Sequence, residues 1–176
     1  MLGRYYDGPT MPDHSDDVVR QWAQQRPDLD PAPMRTFTRL WRASRMADER
    51  LQPVFAQHGL EAGWFDVLAT LRRAGRPHRL SAGTLARGLV MTTGGMTKRL
   101  DRLEAAGLVQ REPDPDDRRG VLVSLTRKGL KVVDRAVEDH LRNEASLLET
   151  LSDRERRALD AALGKLLAAW EGGAPR

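Results

Sequence analysis

The stretch SAGTLARGLVMTTGGMTKRLDRLEAAG, residues 81–107, decides the fold of this 176-residue chain. Ser81 is a typical N-cap for a short helix, and a break at residues 90–92 separates that helix from a second one. The second helix begins near Thr92 and ends before Gly107, because glycine favours the conformation that stops a helix. Apolar residues recur at helical spacing in both segments: Leu85 and Leu89 in the first, and Met96, Leu100 and Leu103 in the second. The stretch therefore predicts a helix-turn-helix.

Two short runs with strand character follow this pair of helices. They are Leu108–Arg111 and Gly120–Leu125, and the second contains the β-favouring sequence VLVSL. The linker PDPDDR, residues 113–118, has turn chemistry, so the two runs predict a hairpin with an exposed, charged tip. A helix-turn-helix followed directly by a hairpin is a winged helix-turn-helix.

Amphipathic helices are predicted on both sides of the winged segment. Apolar residues recur at intervals of three and four over residues 31–57, 62–74 and 130–170. Ser152 and Glu155 form a capping-box pattern that opens the last helix. The expected fold class is mainly α: a winged helix-turn-helix with long N- and C-terminal dimerisation helices. We expect an N-terminal extension with a short helix over residues 1–30, a helical dimerisation region over residues 31–60 and 127–176, and a winged helix-turn-helix DNA-binding domain over residues 61–126.

The composition excludes several classes of protein. Aromatic residues make up only 5%, which is typical of a helix-rich protein and not of a β-sandwich. Cysteine is absent, which excludes a disulfide scaffold, a thiol redox switch and a cysteine-ligated metal. The four histidines lack metal-ligand spacing, and no P-loop, dinucleotide or nucleophile motif is present. We therefore expect no enzyme, with no catalytic residue, no metal and no cofactor.

Membrane and export signals are also missing. No stretch approaches 18 consecutive apolar residues, so no membrane association is expected. Residues 1–7 have no apolar core of a signal peptide, and we expect a cytoplasmic protein.

Positive charge is concentrated in the middle of the chain. Residues 72–119 contain eleven Arg and Lys against six Asp and Glu, a balance of +5. The formal net charge is +4, so the remaining residues carry −1. A basic middle segment indicates a polyanionic partner. A solvated surface with an ordinary imbalance of charge is an equal alternative on this evidence.

One face of the second helix of the helix-turn-helix is predicted to enter the major groove of double-stranded DNA. Opposite its buried stripe lie Gly94, Thr97, Lys98, Asp101 and Arg102. The residues of this helix assigned to DNA contact are Thr93, Gly94, Thr97, Lys98 and Arg102. Arg118 and Arg119 stand at the hairpin tip, where arginine is favoured in the minor groove. A solvated loop is the alternative for the tip, and a winged-helix protein-interaction module that binds no DNA is the alternative for the domain.

The segment MTKRLDRLEAAGLVQR, residues 96–111, and the segment DPDDRRGVLVSLTRKG, residues 114–129, together resemble the MarR family of regulators. The order of helix, wing and Leu-Thr-x-x-Gly junction carries this resemblance, which covers about residues 31–170. It implies a homodimeric repressor that binds a palindromic operator. It also implies that Asp117 pairs with Arg119 and holds this arginine for the minor groove.

A candidate ligand site includes Arg99, which lies beside the buried stripe of its helix. An arginine on the flank of a core requires a carboxylate or a bound anion, and Asp66 is a candidate partner. An ordinary structural salt bridge, or an Asp66 in solvent, is the alternative. The chain resembles the urate-responsive (HucR/PecS-like) branch of the family in four features: an N-terminal extension that contains Trp22, the run FDVLATLRRAG over residues 65–75, Arg99 and Arg111. The resemblance implies that a small anionic aromatic ligand such as urate is bound by Trp22, Asp66, Arg99 and Arg111.

Overall fold

The computed structural model describes residues 14–118 and 120–172, and it is mainly helical with one small sheet, as the sequence predicts. The elements in chain order are α1 (His14–Gln25), α2 (Ala32–Gln57), α3 (Trp64–Arg73), β1 (Arg79–Ser81), α4 (Ala82–Gly88), α5 (Thr93–Ala105), β2 (Val109–Pro113), β3 (Val121–Leu125), α6 (Arg127–Leu147) and α7 (Asp153–Gly172). The described residues divide into two compact units, with the boundary between Arg50 and Leu51.

The sheet is antiparallel, with the strand order β1-β3-β2. The predicted hairpin is confirmed, and Arg111 of β2 faces Val123 of β3 across the ladder. The sequence did not predict β1, whose Leu80 pairs with the other side of Val123. Three residues are too few to display the alternation of a strand, so only the pairing with β3 defines this element.

Side-chain caps begin four of the helices, and three of these caps, at Ser81, Thr92 and Ser152, stand where the sequence predicts a helix start. The hydroxyl oxygens of Ser81, Thr92 and Thr126 accept hydrogen bonds from backbone N–H groups three residues further on, at 3.1, 3.2 and 3.0 Å. At the start of α7, the N–H of Ser152 donates to the carboxylate of Glu155 at 2.9 Å, which completes the capping box. Local chemistry therefore determines where α4, α5, α6 and α7 start.

The core of the second unit lies where α3, α4, α5, α6 and β3 meet. Its fully buried apolar side chains are Val67, Leu68, Leu71, Leu85, Met96, Leu100, Leu103, Val109, Val123 and Val133. Each such side chain contributes about 1.5–3 kcal/mol relative to exposure. The core includes all three predicted stripe residues of α5, so it determines which face of this helix remains in solvent.

The junction between α5 and α6 is closed by hydrogen bonds to the backbone between the two helices. The N–H of Thr126 donates to the carbonyl oxygen of Leu108 at 3.1 Å, and its hydroxyl donates to the carbonyl oxygen of Gly107 at 2.7 Å. Gly129 on the first turn of α6 is buried against Leu108. A Cβ at Gly129 would overlap the Leu108 carbonyl oxygen, so glycine is required for this close approach.

The first unit consists of α1 and the first part of α2. Asp16 of α1 forms ion pairs with Arg35 at 2.7 Å and with Arg39 at 3.2 Å, both on α2. Large apolar side chains on this part of α2 remain in solvent, with Phe37 59% and Trp41 80% exposed.

The helix α7 has no buried residue in the isolated chain. Its apolar side chains are exposed by 36–52%: Leu159, Leu166, Leu167 and Trp170. None of the helices within the described residues is long and apolar enough to cross a membrane.

Candidate functional site

The exposed face of α5 carries the five residues that the sequence assigned to DNA contact. Met96, Leu100 and Leu103 are buried on the opposite side, because they belong to the core of the second unit. The helix begins at its Thr92 cap, and a Cβ added at Gly94 would meet no atom within 4 Å. The five assigned residues are all exposed: Thr93, Gly94, Thr97, Lys98 and Arg102. The open N-terminal turn and the two cations form a surface suited to a phosphate-bearing polymer.

Cations on α5 line a shallow groove next to the start of α3. The groove has a volume of about 240 Å³, and Lys98, Arg99 and Arg102 lie along it with Glu61 and Trp64. Arg102 donates a hydrogen bond to the carboxylate of Glu61 at 3.3 Å. Both side chains are more than half exposed, so their ion pair contributes less than about 1 kcal/mol. Breaking this ion pair therefore costs little.

Arg99 is the partly buried cation of this groove. Its Nη1 donates to the carbonyl oxygen of Gly63 at 3.2 Å, and it forms no ion pair with a carboxylate in the described chain. Gly63 has a left-handed backbone with a φ of 74°, and a Cβ there would lie 2.5 Å from the Arg99 Cζ. Glycine therefore allows the guanidinium to approach the N-terminus of α3. Because the Gly63 carbonyl is neutral, the positive charge of Arg99 has no counter-ion among the described residues.

Asp66 does not pair with Arg99, and the structure shows the alternative that the sequence left open, a carboxylate in solvent. Asp66 is exposed and forms no ion pair within the described residues. It lines a different depression, of about 250 Å³, together with Arg73 of α3 and His140 of α6. Trp64 lines the Arg99 groove, and Asp66 follows two residues later, which is about 200° around the helix. The helical twist therefore points the carboxylate away from Arg99.

Arg111 connects β2 to α5. Its guanidinium donates to the carboxylate of Glu104 at 2.6 and 2.9 Å and to Asp101 at 2.7 Å, and its backbone N–H also donates to Glu104 at 3.0 Å. The Arg111 guanidinium holds the pKa of the Glu104 carboxyl below its usual range, and the same hydrogen bonds raise the pKa of Arg111. This clamp was not predicted from the sequence, although Asp101 and Glu104 share one face of α5 at a spacing of three. The guanidinium is thus occupied by two protein carboxylates, and a ligand contact by Arg111 stays a prediction.

The wing has a tight tip. The N–H of Gly120 donates to the carbonyl oxygen of Asp117 at 2.8 Å, and the N–H of Asp114 donates back to Gly120 at 3.0 Å. Asp117 and Arg118 are both exposed. Arg119 lies outside the described residues, so its expected pairing with Asp117 stays a prediction.

Trp22, the remaining residue assigned to the ligand, lies on α1 in the first unit. Its side chain is 46% exposed. Its contact with a ligand stays a prediction.

The chain is similar to known proteins over most of its length. The sequence profile of the MarR family matches residues 58–120. The HTH-type transcriptional regulator PecS of Dickeya dadantii is 42% identical over 150 residues, which cover 85% of this chain and 90% of that protein. The apo structure of MarR from Escherichia coli is 29% identical with a TM-score of 0.62, over 73% of this chain and 93% of that one.

A mutant of the same Escherichia coli protein, solved in complex with operator DNA, shares the fold. Its TM-score is 0.67 at 24% identity, and the match covers 89% of this chain and 99% of that one. The long match to PecS, together with the family profile over the helix-turn-helix and wing, establishes the relationship. This chain is a member of the MarR family.

Proposed function

We propose that this protein is a homodimeric transcriptional regulator that binds a palindromic operator in double-stranded DNA. The single observation that carries the proposal is the exposed face of α5, which presents Lys98 and Arg102 beside an open N-terminal turn. Such a helix fits the major groove, and the wing then lies near the minor groove. Residues 79–100 contain four Arg and Lys and no Asp or Glu, which supports an anionic partner for this surface.

Uncovered apolar surface supports the homodimer. In the isolated chain, Leu167 and Trp170 of α7 are 52% and 48% exposed, and α7 buries no residue. A large apolar patch of this kind marks an interface. A second copy of the chain would remove these side chains from water and place two winged domains on successive half-sites, about one helical turn apart.

A small anionic aromatic ligand such as urate is proposed to release the DNA, which makes the protein a ligand-responsive repressor. Support comes from Arg99, a partly buried cation whose observed partner is the Gly63 carbonyl. A bound anion would supply the missing counter-ion. Arg99 belongs to α5, so a ligand that moves it shifts the helix that contacts DNA. The ligand releases DNA only as far as it binds the DNA-incompetent form more tightly.

Trp22, Asp66 and Arg111 complete the proposed ligand set on the strength of the resemblance alone. Asp66 and Arg99 line separate depressions in the isolated chain. The contribution of each residue to ligand-induced release of DNA is therefore tested with its own variant.

Binding to DNA is tested by fluorescence anisotropy at two salt concentrations, with a duplex selected by the protein from a randomised library. We expect affinity to fall steeply with salt, because each phosphate contact releases counter-ions. Lys98→Ala should weaken binding and reduce the slope against salt by about one. Lys131→Ala, an exposed lysine on α6, is the matched control and should leave both unchanged. A wild-type protein that binds no duplex would contradict the proposal and favour a protein-interaction module.

The ligand is tested by gel-shift titration with urate, xanthine and salicylate. We expect one of these anions to dissociate the wild-type complex, and Arg99→Ala to blunt that response while retaining most of the DNA affinity. Asp66→Ala is expected to do the same if the two depressions belong to one site in the dimer. If all three anions leave the wild-type complex intact, the proposed ligand site is wrong.

A further inference from the structure

The turn between α4 and α5 contains a residue whose conformation and exposure are both unfavourable. Val90 has a φ of 52°, a left-handed conformation that a β-branched side chain rarely adopts. It is also 95% exposed, which makes it the most exposed large apolar side chain among those that the structure describes. Neither property contributes to the stability of the isolated chain.

The backbone geometry explains why the left-handed conformation occurs here. Leu89 is the C-cap of α4, the N–H of Val90 donates to the carbonyl oxygen of Arg87, and the N–H of Met91 donates to that of Ala86, at 3.2 and 2.8 Å. These two bonds form a Schellman motif, whose left-handed position is usually occupied by glycine. Glycine at position 90 would satisfy the motif without strain. The turn itself therefore gives no reason for valine.

Val90 lies next to the surface that is proposed to bind DNA. It lies two residues before the Thr92 cap of α5, at the edge of the face proposed to enter the major groove. Residues 79–100 contain four Arg and Lys and no Asp or Glu, and among these four cations only Arg79 has an ion-pair partner within the described residues, Glu112 at 2.7 Å. A DNA duplex is thus the partner whose charge matches this part of the surface. The apolar group that the major groove displays is the C5-methyl of thymine.

We propose that Val90 is a specificity-determining residue that contacts a thymine methyl group at the edge of the operator half-site. The proposal rests on the proposed function, because it needs α5 to lie in the major groove. Contact with DNA removes the exposed methyl groups of Val90 from water. The free energy gained by burying these methyl groups against DNA offsets the free-energy cost of the left-handed backbone at Val90.

The experiment combines variants of Val90 with thymine-to-deoxyuridine changes in a duplex selected by the wild-type protein from a randomised library. Val90→Gly removes both the strain and the methyl groups, and Val90→Asn keeps a side chain that tolerates the left-handed backbone. His78→Gly is the matched control, because His78 is the other described non-glycine residue with a positive φ, at 59°, and it lies at the α3–β1 turn. Thermal melting checks that each variant folds.

We expect both Val90 variants to melt at or above the wild-type temperature and to bind the duplex about tenfold more weakly. His78→Gly should bind as the wild type does. Replacing one particular thymine in each half-site with deoxyuridine should weaken duplex binding by the wild type several-fold. The same replacement should leave duplex binding by the Val90 variants unchanged. If the wild type binds tightly and Val90→Gly and Val90→Asn bind equally well, the inference about Val90 is overturned and the proposed function stands. If the wild type selects no duplex, the proposed function fails and the inference fails with it.

Discussion

Replacing Gly129 with alanine tests whether the α5–α6 junction holds the winged domain together. The Cβ of alanine would overlap the Leu108 carbonyl oxygen, and it would lie 2.9 Å from the carbonyl carbon and 3.3 Å from the Cα. Carbon atoms in favourable contact lie about 3.5–4.0 Å apart. The obstacle is backbone, so α6 must move away from the start of β2 to accommodate the methyl group.

The size of the effect follows from the groups that this movement disturbs. Overpacking of a well-packed site costs about 1–3 kcal/mol. The same carbonyl oxygen accepts a hydrogen bond from the N–H of Thr126 at 3.1 Å, which contributes about 1 kcal/mol. Alanine recovers about 1 kcal/mol through its higher helix propensity. We therefore expect Gly129→Ala to lower the free energy of unfolding by about 2 kcal/mol, and the melting temperature by about 6 °C.

The assay is urea denaturation at a fixed protomer concentration, since the stability of a dimer depends on concentration. Gly88→Ala is the matched control: Gly88 is exposed at the end of α4, and no atom lies within 4 Å of the Cβ position. This variant should be as stable as the wild type or more stable by about 0.5 kcal/mol. A Gly129→Ala protein that is as stable as Gly88→Ala would refute the steric argument.

Three further predictions concern the clamp, the groove and the dimer. The lowered pKa of Glu104 implies that its pairing with Arg111 stabilises the protein fully at pH values above the ordinary pKa of 4.5. This stabilisation is lost as pH falls through the lowered pKa of the folded state. Glu104→Gln should therefore make the stability less dependent on pH in that acidic range, and a pH profile equal to that of the wild type would contradict the role of the clamp. Gly63→Ala should displace the guanidinium of Arg99 but keep its charge, and it should weaken the anion-induced release of DNA in a gel shift. If the anion releases DNA from this variant as it does from the wild type, the position of Arg99 is unimportant for the response. Trp170→Glu should dissociate the dimer in analytical ultracentrifugation, and a wild type that is monomeric at micromolar concentration would contradict the dimer itself.

Much of the fold was predictable from the sequence because it depends on local signals. The caps at Ser81, Thr92 and Thr126 each involve a hydrogen bond that spans three residues, so neighbouring residues determine them. Gly107 has the left-handed backbone expected after a helix, with a φ of 69°. The period of apolar residues then determined which face of α5 is buried, and the opposite face carries the cations.

Only the tertiary structure decided which partner each charged side chain contacts. Arg99 lies 36 residues from Gly63, and its contact depends on the packing of α5 beside the start of α3. Asp66 was a reasonable partner by charge, but the twist of α3 directs it elsewhere. The clamp between Arg111 and α5 likewise forms only when β2 folds back onto that helix.

The difference between local signals and contacts made only in the folded chain also explains two backbone features that the sequence did not reveal. The three residues of β1 have no recognisable pattern of their own, and they become a strand because β3 supplies their hydrogen-bond partners. Val90 has the side chain of a strand residue, yet the Schellman bonds at the end of α4 impose a left-handed backbone on it. Local propensity and periodicity determined the helices and the winged architecture of this protein. Contacts between residues far apart in the chain decided the partners of its arginines and the edge of its sheet, because these contacts exist only after the helices have packed.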